Sequence, residues 1–224
     1  MVDGESNDLY LELAPFGLEH IYDYKPGGHH PVHLGDVYGN NRRYRVIHKL
    51  DGGGFATVWL CRDTEAKEAT KYMALKILMA ETSSDNCLEL RVNQLKDTHS
   101  QRENEGNIAE FICFPLDHLK IHGPNGDNIS FVYPVLSPNV SLGLFRASTD
   151  PDNDLRSLGL QVAKAVKFPH SQGICHAGSR TSSNHFFLCW KAVNANKRLD
   201  ITPNNVLHRI TGLDGLNEDE FLKY

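Results

Sequence analysis

Hydrophobic and polar positions divide the chain into a strand-rich first part and a helical later part. In the first part, apolar residues either alternate with polar ones or run together over the length of a strand. This pattern predicts five strands, at residues 43–50, 55–63 and 72–78, within 111–123, and at 128–137. Because the strand patterns and the main helical pattern are segregated, we expect the α+β fold class rather than a doubly wound sheet.

Two stretches show the spacing of a helix. Leu88, Val92 and Leu95 recur at helical intervals, which predicts an amphipathic helix within 84–97. Apolar residues also follow one face of 153–168. We expect Pro169 to loosen or end the last turn of this second helix.

Glycine and proline mark the boundaries between these parts. Residues 1–42 are rich in both and show little periodicity, so we expect a mostly irregular N-terminal extension. Residues 43–137 then form a strand-rich domain, and 138–224 form the helical remainder. The run Gly52–Gly54 separates the first two strands, and the Asn-Gly pair at 125–126 predicts a hairpin turn.

Composition and charge exclude some classes of function. The 224 residues carry a formal net charge of -5, which gives no support to direct nucleic-acid binding. No apolar run approaches the length of a membrane span, and the acidic N-terminus is unlike a signal peptide. The 5 cysteines are scattered and form no CxxC pair, so we expect free thiols in a reducing intracellular compartment, the cytoplasm or the nucleus.

Three histidines, His29, His30 and His33, stand close together in the extension. A zinc site needs three or four converging ligands with supporting groups, and nothing else in the sequence indicates one. We therefore expect these histidines to lie on the surface.

The first candidate for chemistry is the glycine-rich turn with the lysine that follows it. Backbone N–H groups of such a turn can lie over phosphates, although an isolated run of glycines is more often only a turn. Lys76 stands in the middle of an apolar strand, where lysine is rare unless it is paired. Glu89 on the next helix is its expected partner; the alternative is a lysine that reaches solvent from an edge strand.

The second candidate is the pair Asp200 and Asn205. A carboxylate that accepts a hydroxyl proton, followed by a carboxamide that holds a metal ion, suits phosphoryl transfer. The alternative is a plain turn, because Asp, Pro and Asn all favour turns.

Taken in order, the glycine hairpin, strand lysine, helix glutamate and D-x-x-x-x-N loop match the protein-kinase signature. The sequence around these motifs resembles that of the SR-protein kinases, in the divergent form common among filamentous fungi. The segments that carry the resemblance are "YKPGGHHPVHLGDVYGNNRRYRVIHKLDGGGFATVWLCRD", "YMALKILMAE", "LELRVNQLK", "FPLDHLKIHGPNGDNISFVYPVL" and "ITPNNVLHRI". The resemblance extends from about Tyr24 to the C-terminus, apart from residues 178–199.

This resemblance implies a protein-kinase-like fold: a complete five-stranded antiparallel N-lobe with one helix (the αC helix), and the first part of a helical C-lobe. It also implies ATP and Mg²⁺ as cofactors. Asp200 would be the catalytic base and Asn205 a magnesium ligand, while Glu89 would hold Lys76 against the α and β phosphates. The expected ATP-binding residues are Leu50, Asp51, Gly52, Gly53, Gly54, Phe55, Ala56, Val58, Ala74, Lys76, Tyr133, Pro134 and Leu136.

By the same resemblance, the protein would be a serine/threonine protein kinase acting on Arg/Ser-rich proteins linked to splicing, and we expect a monomer. Three departures bear on activity. Asp51 replaces the first glycine of the turn and brings a carboxylate near the polyphosphate. Ala56 replaces the third glycine, and Thr202 replaces a lysine that most kinases carry.

The catalytic loop is interrupted. Joining Ala177 to Asp200 would give "GICHADITPNNVL", an H-x-D loop with His176 as its histidine. We hypothesise that 178–199 is a retained intron or a wrong exon boundary; the alternative is a genuine loop insertion. Transcript reads that uniformly include the segment would count against a gene-model error.

No D-F-G motif follows before Tyr224, so we expect this polypeptide to be poorly active or inactive in phosphoryl transfer. The alternative function is a non-catalytic, pseudokinase-like module that binds a partner or nucleotide. A mis-spliced gene model would also give such a chain.

Overall fold

The computed structural model describes residues 19–66, 71–85, 87, 89–90, 93, 112–139, 148–171, 175–176, 198–199, 207–209, 215 and 218. Short 3-10 helices occur at Ile21–Asp23, Asn40–Arg42 and Ala80–Thr82.

The main feature of the fold is a six-stranded antiparallel sheet in the order β1-β2-β3-β4-β6-β5. It confirms predicted strands, since β4 has the predicted bounds and β2 and β3 begin within one residue of theirs. The strands are β1 (Val37–Tyr38), β2 (Tyr44–Gly53), β3 (Ala56–Asp63), β4 (Tyr72–Leu78), β5 (Asp117–Gly123) and β6 (Gly126–Pro134).

The extension contributes a strand that the sequence did not predict. Val37 pairs with Arg45, and Tyr38 pairs with Tyr44, so the sheet has one strand more than the five expected. The extension, expected to be mostly irregular, thus contains one short strand. A strand of two residues is too short to show the alternation on which the prediction depended.

The last predicted strand, 128–137, is divided in two. β6 ends at Pro134, and β7 (Leu136–Asn139) leaves the main sheet to pair with β10 (Leu207–Arg209). Of the predicted helix within 84–97, Glu89, Leu90 and Asn93 are helical, and most of its other residues lie outside the described part of the chain.

Alternation along the strands gives the sheet two apolar faces. We call one the inner face, formed by Ala56, Val58, Ala74, Leu78, Ile129, Phe131 and Tyr133. We call the other the outer face, formed by Val46, Trp59, Cys61, Met73, Leu75, Ile77 and Val132.

The N-terminal extension covers the outer face, where Val32 packs against the apolar cluster. Gly27 N donates to Asn125 O at 2.7 Å, and Asn125 Nδ2 donates to His29 O at 2.7 Å. His29 and His30 are only 1% and 8% exposed, so the expectation that they lie on the surface is wrong. Among the described residues, no group of three potential ligands could hold a metal ion.

The later part of the described chain is dominated by helix α1 (Pro151–Ser171). Asp150 Oδ1 accepts from Asn153 N at 3.2 Å and satisfies one of the free amides at the helix start. The helix continues two residues beyond Pro169, so the proline lies within its last turn. No helix among the described residues has both the length and the apolar character needed to cross a membrane.

Candidate functional site

The glycine-rich turn joins β2 to β3, and its pairing decides which residues face the inner side. Directly paired residues of antiparallel strands project to the same face. Asp51 pairs with Val58, so its carboxylate lies on the inner face, while Gly52 and its partner Thr57 belong to the outer face. Asp51 Oδ1 accepts from Gly52 N at 2.8 Å. The carboxylate that replaces the first glycine thus folds back onto its own turn.

Lys76 lies beneath this turn on the inner face, since it pairs with Val58 across the strands. Its Nζ donates to Glu89 Oε1 at 2.8 Å, and the two side chains are only 3% and 14% exposed. The structure therefore brings together the two charged residues that the sequence singled out. Removing two charges from water is costly, and an apolar pair of similar volume would serve stability as well or better. Stability alone therefore does not account for this ion pair.

The apolar residues predicted to contact the nucleotide form a wall beside this ion pair. Ala56, Val58, Ala74 and Tyr133 belong to one buried cluster, and Leu136 packs against it. Leu50 and Phe55, by contrast, are 41% and 48% exposed near the hairpin end.

Pro134 pairs with Met73, which belongs to the outer face, so the proline ring also lies on that face. Only the backbone groups of Pro134 can therefore reach the inner face.

Leu207 is a candidate site residue that the sequence reasoning missed. It packs against the inner-face cluster from β10, and it pairs with Asn139 of β7. The available signal was its position two residues after Asn205, within a short apolar strand. The wall thus includes a residue from beyond the sheet.

Asp200 and Asn205 lie outside the described residues, and so does Thr202. Their neighbours in the chain are described. The two-residue strands β8 (Cys175–His176) and β9 (Arg198–Leu199) pair in parallel, with His176 opposite Leu199. The residue before Asp200 therefore lies beside His176, although more than twenty residues separate them in sequence.

Comparison with known proteins finds protein kinases among the relatives, although no protein-family model matches the chain. It is 33% identical over 159 residues to serine/threonine-protein kinase spk-1 of Caenorhabditis briggsae, covering 69% of this chain and 13% of that protein. It is 32% identical to protein kinase dsk1 of Schizosaccharomyces pombe, covering 78% and 31%. It is 31% identical to human SRSF protein kinase 3, covering 67% and 26%. A crystallised kinase domain aligns with a TM-score of 0.43 at 16% identity, over 66% of this chain and 40% of its own.

The glycine-rich hairpin and the buried lysine–glutamate pair, together with these relatives, place the chain among protein-kinase-like proteins. More narrowly, it is a homologue of the SR-protein kinases, which it matches over 67% to 78% of its own length in the human and fission-yeast proteins. The chain spans less than a third of the length of these relatives.

Proposed function

We propose that the chain binds MgATP against the inner face of its sheet. In this proposal it forms the nucleotide-binding part of a serine/threonine protein kinase. The observation that carries the proposal is the buried Lys76–Glu89 ion pair beneath the glycine-rich turn. A lysine held in this way can neutralise phosphate oxygens, and phosphoryl transfer depends mainly on positioning and charge neutralisation.

The side chains and backbone groups around the inner face have the chemistry needed to bind a nucleotide. Val58 and Ala74 belong to the inner-face cluster and Leu207 packs against it, so all three can offer apolar contacts to a flat adenine ring. The chain between β6 and β7, around Val135, offers backbone groups to the edge of the base. Backbone amides of the glycine turn lie on the phosphate side. Mg²⁺ would shield the charge of the phosphate oxygens, with Asn205 as its predicted ligand.

The proposed reaction transfers the γ-phosphoryl group to a serine or threonine hydroxyl. The hydroxyl oxygen forms a bond to the γ-phosphorus, the bond to the β–γ bridging oxygen breaks, and ADP leaves. The hydroxyl proton passes to Asp200 as the predicted base. Serines of Arg/Ser-rich proteins linked to splicing are the proposed substrates, and the net charge of -5 suits such basic partners. We propose that the chain acts as a monomer.

Nucleotide-dependent stabilisation tests the binding step. MgATP should raise the unfolding temperature of the wild-type chain by mass action. Lys76→Met should abolish this rise, whereas Lys120→Met, at a lysine that is 51% exposed on β5, should leave it unchanged. A wild-type chain that MgATP does not stabilise, or a Lys76→Met chain that keeps the full rise, would contradict the proposal.

The inner-face position of Asp51 favours a second candidate, a pseudokinase-like module that binds without turnover. A phosphotransfer assay with an Arg/Ser-rich peptide separates the two. Binding of MgATP with no phosphopeptide formed would support the second candidate over the first.

A further inference from the structure

The glycine-rich turn is in contact with a buried carboxylate from the N-terminal extension. The side chain of Glu19 is only 5% exposed, and both its oxygens accept hydrogen bonds from Lys49 Nζ. The hydroxyl of Tyr24 donates to Oε1 of the same carboxylate. Lys49 in turn lies over the ring of Trp59, at 5.5 Å from its centroid.

This carboxylate remains charged although it is buried. Burial raises the pKa of Glu19, but the hydrogen bonds from Lys49 and Tyr24 outweigh it, and the pKa lies below its ordinary value. A buried, ionised and fully paired carboxylate is a fixed contact, since withdrawing either partner would leave the other charge in a poorly solvated place.

Glu19 also explains one of the three glycines. A Cβ atom built on Gly52 would lie 2.2 Å from Glu19 Oε2 and 3.4 Å from Lys49 Cε. No side chain fits there while Glu19 is in place. Gly54, by contrast, has open space around it. A side chain at position 52 would therefore have to displace the Glu19 carboxylate from its contact with Lys49.

The contact is made at the strand that leads into the turn. Lys49 pairs with Trp59 just before a register shift in β2, and Asp51 and Gly52 follow that shift. Glu19 therefore binds the residue before the irregularity and lies close against one after it. Since Gly52 belongs to the outer face, Glu19 cannot touch a nucleotide on the inner face and can act only through the turn.

We propose that Glu19 is a positioning residue, which fixes the glycine-rich turn from its outer side in the conformation that receives the nucleotide phosphates. The inference rests on the proposed function, because it assigns Glu19 to the same nucleotide site. A turn that is already ordered loses less conformational freedom when it closes over a ligand, so binding is tighter. The N-terminal extension is thus part of the nucleotide site.

Affinity for MgATP, measured beside the unfolding temperature of the nucleotide-free chain, tests this role. Glu19→Ala should weaken MgATP binding about fivefold. Glu19→Gln keeps the volume but loses the charge, and it should weaken binding less. Glu65→Gln, which removes another carboxylate paired with a cation of the sheet, should leave affinity unchanged.

A double-mutant cycle distinguishes positioning from general stability. Gly52→Ala should weaken binding because its methyl group displaces Glu19, and adding Glu19→Ala should recover part of that loss. Hydrogen exchange of the turn amides without nucleotide should become faster in Glu19→Ala. Additive effects, or folded Glu19 and Gly52 variants with wild-type affinity, would overturn the inference while the wild type still binds MgATP. A wild type that binds no MgATP would instead show that the proposed function itself fails.

Discussion

At the scale of single residues, the turn carries an unusual charge at Asp51. Its carboxylate lies on the inner face, on the same side as Lys76, and accepts from Gly52 N. This hydrogen bond fixes the carboxylate but does not remove its charge. In the proposed site, the turn would therefore carry a negative charge on the side where the phosphates would lie.

Asp51→Asn should therefore strengthen nucleotide binding. The amide keeps an oxygen that can accept from Gly52 N, and it removes a like charge whose repulsion is worth about 1 kcal/mol at intermediate distance and dielectric. We expect MgATP to bind about fivefold more tightly, as measured by titration calorimetry. Asp127→Asn, at an exposed carboxylate beside Lys120, is the matched control and should show no change. An Asp51→Asn chain with equal or weaker affinity would show that the carboxylate does not face the phosphates.

At the scale of elements, the extension is a structural layer with two buried histidines. Burial lowers the pKa of His29, although the charges of Glu19 and Asp23 act the other way and Lys49 acts with burial. Burial also lowers the pKa of His30, against the charge of Asp36. In the unfolded chain both imidazoles have a pKa near 6.5. At pH values between the folded-state and unfolded-state pKa, the unfolded state therefore binds more protons.

The free energy of unfolding should consequently be fully retained above pH 6.5 and fall as the pH drops through the lowered folded-state values. Denaturant midpoints measured between about pH 7.5 and pH 5.5 test this. Replacing both residues with glutamine should flatten the pH dependence, even if stability falls at every pH. The same change at His48 and His118, which are exposed, is the matched control. A double variant with the wild-type slope would place the titrating groups elsewhere.

A second element bears on the interrupted catalytic loop. The parallel pairing of β8 with β9 places His176, two residues before the interrupting segment, beside Leu199, the last residue of that segment. Long loops whose ends lie close together cost little more than short ones, since the closure entropy grows only slowly with length. A genuine insertion is thus compatible with His176 lying near the start of the catalytic loop. The hypothesis of a retained intron stays a prediction that transcript sequences can test.

At the scale of the whole molecule, the strands that could be predicted from the sequence are those with a long pattern of apolar residues. β4 could be predicted because its residues other than Lys76 are apolar, and the lysine was conspicuous among them. Val37, His29 and Glu19 could not be placed from sequence, because the extension folds against the outer face through contacts distant along the chain. Leu207 was missed for a related reason, since its role depends on β10 meeting β7.

In the proposed nucleotide site, Leu207 of β10 adds to the apolar wall that the sheet provides. Leu207→Ala should weaken MgATP binding about fivefold, because one apolar wall against the base is lost. Leu160→Ala, at a leucine of α1 that is 57% exposed, removes the same atoms from the surface and should leave affinity unchanged. Fluorescence titration with an ATP analogue measures both, and the unfolding temperature without nucleotide shows whether each variant remains folded. If Leu207→Ala is folded and binds as tightly as the wild type, the strand-rich domain holds the nucleotide by itself, and the helical remainder serves another purpose.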